Sequence, residues 1–126
     1  MQNKVIQTGK APAAIGPYSQ AILADGLLFT SGQLGINPEN GEMPQGIAEQ
    51  TGQALKNLLA ILEETGFRKE DVVKTLIFLK DMKDFAVVNE IYAGFFGEHK
   101  PARSCVEVAR LPKDGLVEVE AVAVRR

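Results

Sequence analysis

Val72-Val73-Lys74-Thr75-Leu76-Ile77-Phe78-Leu79 is a continuous β-rich run, apolar on both of its faces. Side chains of a strand point alternately to two sides, so such a run needs cover on both. The period of the chain changes on either side of it. From about Gly46, residues Ile47, Thr51, Ala54, Leu55, Leu58, Leu59 and Leu62 recur at helical spacing, and Gly66 supplies a C-terminal stop. After the run, Phe85, Val88, Tyr92, Phe95 and Phe96 make the apolar stripe of a second helix, with Asp84 as its expected N-cap.

The remaining elements read as strands. Lys4 to Thr8 forms a short first one. Ala21–Ala24 and Leu27–Ser31 flank Asp25-Gly26, the strongest short hairpin signal a sequence offers. A polar loop follows through Asn37–Gly41. The stretches 101–108 and 116–124 alternate, as half-buried strands do. The order β-β-β-α-β-α-β-β predicts an α+β fold: one mixed six-stranded sheet with two helices on one face. Two helices leave the second face bare, and no remaining segment can cover it. Copies of the chain are therefore expected to pack sheet against sheet in an oligomer.

At 126 residues the chain fits a single domain, 1–126. Its net charge of −2 and pI near 5.4 give no electrostatic footprint for nucleic acid. No apolar run approaches the roughly 18 residues that span a bilayer. The N-terminal stretch MQNKVIQTGK lacks the apolar segment of a secretory signal. One cysteine excludes an internal disulfide and fits a reducing cytoplasm. One Cys and one His argue against a zinc site, so no metal is expected.

Between Pro101 and Pro112 the alternation sets Arg103, Cys105 and Glu107 on one strand face and Ser104, Val106 and Val108 on the other. The valine side is expected to face the core. On spacing alone, the plainer reading of the Arg103 side is a solvated row with one buried cysteine. The alternative is a site, since a guanidinium fork grips carboxylates bidentately. Glu118 and Glu120 share a face of the last strand, either at a wet edge or partly buried for acid–base work. Asn89 interrupts the apolar stripe of the second helix, where an unpaired amide costs about 1–3 kcal/mol. It either caps a backbone group or faces a site. Tyr18 follows the rigid Gly16-Pro17 and can present its hydroxyl. Ser31-Gly32 ends a strand, where a glycine lets a ligand approach the backbone.

Ala13–Gln20 (AAIGPYSQ), Thr30–Gln33 (TSGQ), Pro101–Val108 (PARSCVEV) and Leu111-Pro112 resemble the RidA (YjgF) family, and the resemblance extends over essentially the whole chain. It implies a chorismate-mutase-like α+β sandwich that assembles as a homotrimer with sites between subunits. It also implies a 2-iminobutanoate/2-iminopropanoate deaminase. Such an enzyme hydrolyses the 2-imino and enamine acids released by pyridoxal-phosphate dehydratases to 2-keto acids and ammonia, with no cofactor. By that resemblance Arg103 holds the substrate carboxylate and Glu118 positions or activates the attacking water. Tyr18, Ser31, Gly32, Asn89 and Cys105 match the other cleft residues. Lys100 departs from the pattern, since many members carry an aromatic there; this bears on which imino acids fit. Other relatives are credited with ligand binding, regulation or ribonuclease activity. Arg103 together with Glu118 favours hydrolysis over binding alone, and the acidic balance disfavours RNA.

Overall fold

Residues 3–125 are described by a computed structural model; Met1, Gln2 and Arg126, which the single-domain reading takes in, lie outside the described residues. In chain order the elements are β1 (Lys4–Ile6), β2 (Ala21–Ala24), β3 (Leu27–Thr30), β4 (Gln33–Leu34), α1 (Ile47–Glu64), β5 (Val72–Leu79), α2 (Phe85–Phe96), β6 (Ala102–Glu107) and β7 (Val117–Val124). The fold is α+β. Neighbouring strands run β1-β2-β3-β7-β5-β6, antiparallel throughout except for the parallel pair β5 and β6, which α2 connects.

Among the described residues the sheet has seven strands, not the six expected. The extra one is β4, two residues long and paired with β7. It continues β3 after an interruption. Phe29 pairs with Val122 and Gln33 with Val119, so four steps along one strand match three along the other. The surplus residue is a bulge spanning Thr30–Gly32. The Thr30 hydroxyl accepts the Ala121 N–H there at 3.0 Å, taking a place in the broken ladder. Sequence reading ends the strand at Ser31 because a glycine and a polar loop follow.

Cross-strand register shows which side chains share a face. Thr75, Ile77 and Leu79 of β5 are inaccessible beneath the helices, and Val117, Val119, Ala121 and Ala123 of β7 lie on the same side. Leu55, Leu58, Ile61 and Leu62 of α1 complete that core with Val88, Tyr92 and Phe96 of α2. Burying each large side chain contributes roughly 1.5–3 kcal/mol. Helix α1 stops as expected: Phe67 N–H bonds Leu62 C=O and Gly66 N–H bonds Glu63 C=O, a Schellman arrangement. The Asp84 cap is not formed. A 3₁₀ turn, Met82–Asp84, precedes α2, and its cap is Asp81, whose carboxylate accepts the Lys83 N–H. That hydrogen bond holds the Asp81 carboxyl below its ordinary range.

Two further expectations meet the register differently. Among the described residues no helix covers the second sheet face, as the two-helix count requires. Phe29 (45% exposed), Val106 (44%), Leu27 and Val124 stand on it. The valine side of β6, however, is this open face and not the core. Arg103 pairs with the core residue Thr75 and Cys105 with Ile77, so the charged row turns toward the helices. Alternation sorted the β6 side chains correctly; hydropathy misassigned the faces, because the open face is itself apolar.

Asn57 is fully buried in α1, and its amide donates to the carbonyls of Leu34 (3.0 Å), the last residue of β4, and Ile36 (2.9 Å) just past it. Asn57→Ala removes the buried donor from both carbonyls. It should lower unfolding free energy by about 1–3 kcal/mol in urea titrations followed by circular dichroism. A loss below a few tenths would show that water replaces the amide there.

Candidate functional site

The bulge between β3 and β4 opens a cavity of about 880 Å³ on the uncovered side of the sheet. Tyr18, Ser31, Gly32, Glu118 and Glu120 line it, with Pro12, Ile15, Ile36 and Lys113 among the surrounding residues. Gln20 builds one wall. Its buried side chain accepts the Thr8 N–H at 2.7 Å and donates to the carbonyls of Thr8 (3.1 Å) and Pro12 (2.8 Å). This pins the loop that carries Tyr18, whose ring is half exposed at the rim. Ser31 is tied down twice, N–H to Gln20 C=O and hydroxyl to Ser19 C=O.

Gly32 has a steric reason to be glycine. A Cβ there would stand 2.6 Å from the carboxyl carbon of Glu118 and 2.9 Å from its Oε1. The missing side chain is the space that the Glu118 carboxyl occupies. Glu118 lies beside Phe78 of β5 and Leu34 of β4, both apolar. Burial pushes its carboxyl above the ordinary glutamate range, and the negative charge of Glu120 adds to the rise. A carboxyl so placed can exchange a proton nearer neutrality than a solvated one.

Arg103 and Asn89 form a second group. One guanidinium nitrogen of Arg103 donates to Asn89 Oδ1 at 2.7 Å. The guanidinium also lies over the rings of Tyr92 (4.9 Å) and Phe85 (5.5 Å). Among the described residues Arg103 has no carboxylate within ion-pair distance. An oriented fork with spare donors over aromatic faces is a receptor for an anion. The Tyr92 hydroxyl is bonded to Thr75 at 2.7 Å, and burial raises its pKa. Cys105, next along this face, has its thiol pushed up by burial, partly offset by Arg103. Its thiolate is thus disfavoured, and nothing here activates it as a nucleophile.

The seven predicted site residues therefore fall into two sets. Tyr18, Ser31, Gly32 and Glu118 meet in one cavity; Arg103, Asn89 and Cys105 meet at α2. Register separates the sets, because Thr75 carries Arg103 to the helix side and Phe78 pairs with Glu118 on the open side. One chain does not bring its own Arg103 to its own Glu118. Sequence reading missed Gln20 and the part of Tyr92 beneath Arg103. Gln20 has no periodic signal, whereas a tyrosine three residues after Asn89 in the same stripe was one.

The profile described as Endoribonuclease L-PSP matches residues 8–125. This chain belongs to that family, the RidA/YjgF family. It is similar to an Escherichia coli 2-iminobutanoate/2-iminopropanoate deaminase, 54% identical over 127 residues and covering 98% of this chain and 99% of that one. A RutC family protein of Haemophilus influenzae is 53% identical over 130 residues, covering 100% of both chains. Among solved structures, E. coli TdcF with bound serine superposes with a TM-score of 0.95 at 46% identity, over 98% of this chain and 99% of that one. No helix among the described residues is long and apolar enough to cross a membrane.

The raised Glu118 carboxyl has a consequence for stability. As pH climbs from the ordinary glutamate range, the unfolded chain ionises before the folded one. Folded-state stability therefore declines through that window and stays lower above the folded value. Glu118→Gln removes this cost. Its melting temperature should gain on the wild type's as pH rises from the ordinary glutamate range, about 4.3, in parallel thermal scans; a constant difference would contradict the upward shift.

Proposed function

We propose that the protein hydrolyses 2-imino acids, in equilibrium with their enamines, to 2-keto acids and ammonia. The observation that carries this reading is the presence in one chain of two unlike groups: an oriented Arg103 with no ion pair among the described residues and a half-buried Glu118 whose carboxyl is shifted upward. An imino acid offers a carboxylate for the first and an electrophilic C=N carbon for the second. The similarity to a 2-iminobutanoate/2-iminopropanoate deaminase supports the same chemistry. In this reading Arg103 fixes the substrate carboxylate by charge-assisted hydrogen bonds, and Asn89 orients the guanidinium. Glu118 takes a proton from a water as the oxygen adds to the C=N carbon, forming a carbinolamine. That proton goes to the imine nitrogen; the carbinolamine's hydroxyl then gives its own proton to the nitrogen through the same carboxyl as the C–N bond breaks, so ammonia leaves and the carbonyl forms. No metal or organic cofactor enters these steps.

The two sets of residues lie on opposite faces of one sheet, and the open face is apolar. We therefore propose that copies pack through the open faces as a homotrimer, so that Arg103 of one copy completes the cavity holding Glu118 of another. Products of pyridoxal-phosphate dehydratases acting on serine and threonine are the substrates we favour, in the cytoplasm, where a lone thiol stays reduced.

A threonine dehydratase coupled to this protein, with semicarbazide trapping the residual imine, tests the reading. Wild type should cut the trapped fraction. Glu118→Ala should lose turnover by about 10²-fold or more while still binding a 2-keto acid, and Arg103→Ala should lose both. Turnover absent in the wild type with binding intact would leave a ligand-binding module. Sedimentation equilibrium should give three times the chain mass; a monomer would remove the shared-site arrangement.

A further inference from the structure

Glu120 stands two positions from Glu118 on β7, on the same face of the strand and lining the same cavity. Register sets Leu76 beside it as Phe78 is set beside Glu118, so apolar side chains flank both carboxyls. Both are half-buried, and among the described residues neither forms an ion pair. The other charged or titratable groups on this side are few. From β5 comes Lys74, whose ammonium donates to the Ser104 hydroxyl at 3.1 Å. The loop before β7 contributes Lys113, and the loop before β2 contributes Tyr18. In the proposed trimer Arg103 of a neighbouring copy joins them.

A second half-buried carboxylate this near makes ionising the first more difficult. Among the described residues the Glu120 side chain forms no ion pair that would assign it a structural task. We propose that Glu120 is a positioning residue of the deamination: its negative charge sets the pH range over which Glu118 accepts the proton of the attacking water. This rests on the proposed function, and it adds a tuning group to that reading. Ionised Glu120 disfavours ionised Glu118, so the neighbour makes Glu118 a stronger base at the moment water adds. The cost is a smaller ionised fraction in acid.

The test is the acid limb of the pH–rate profile of kcat/KM, read with the imine-generating enzyme in excess at every pH. Glu120→Gln should move that limb to lower pH by about half a unit. Glu120→Asp, which keeps the charge, should leave it near the wild-type position. A ¹³C carboxyl titration of Glu118, compared between wild type and Glu120→Gln, reads the same shift without turnover. If neither limb nor titration moves in the Gln variant, or if Asp moves both as far as Gln does, charge tuning by Glu120 is wrong. If instead Glu118→Gln keeps wild-type turnover, the proposed function fails, while the titration still judges the coupling of the two carboxyls.

Discussion

The break in the β3–β7 ladder is the feature on which the cavity depends. A regular antiparallel pair would fill the space beside Glu118 with backbone and side chains. The chain instead inserts one residue between Phe29 and Gln33, lets the Thr30 hydroxyl stand in for a backbone acceptor, and leaves Gly32 bare where the carboxyl sits. An interruption of this kind has to be held from outside the ladder. Gln20 ties the preceding loop and Asn57 the following one, each through a buried amide bonded to backbone carbonyls. The core of apolar side chains supplies stability; these two amides supply shape. Their work is distant from any chemistry and yet decides whether the cavity exists.

The second constraint is the two-sidedness of the sheet. Helices α1 and α2 cover one face, and Arg103 emerges at the margin of that covered side, braced by Asn89 over two aromatic rings. Glu118 belongs to the other face. A strand offers no way to bring such residues together within one sheet, since register and pleat fix the side to which each points. Within the chain no described cation pairs with Glu118, and burial, with the charge of Glu120 adding to it, keeps its carboxyl up.

Much of this was legible in the residues. Helical spacing from Ile47 to Leu62 placed α1, Gly66 ended it, and Asp25-Gly26 placed the hairpin, with both turn residues at positive φ (52° and 82°). Asn89 stood out as a polar group in an apolar stripe, and it does hold Arg103. The same signal stands at Asn57, an amide among leucines of α1 that is bonded to the Leu34 and Ile36 carbonyls. The faces of β6 were reversed for a physical reason as well: an apolar open face looks like a core when only one chain is considered. Strand β4 is too short to carry a period at all.

The amino-acid sequence by itself determined both helices, six of the seven described strands, their order, the bare second face and the family to which the chain belongs. Those follow from local periodicity, turn chemistry and motif identity, all written within a few residues of one another. Tertiary structure alone decided that Tyr18, Ser31, Gly32 and Glu118 share a cavity, and that Arg103 with Asn89 turns toward the other side. It also decided that Glu120 shares the cavity of Glu118. These facts depend on cross-strand register and on one inserted residue between Phe29 and Gln33. Partners nearly ninety residues apart along the chain meet only when the ladder closes, and no local pattern records which way it does.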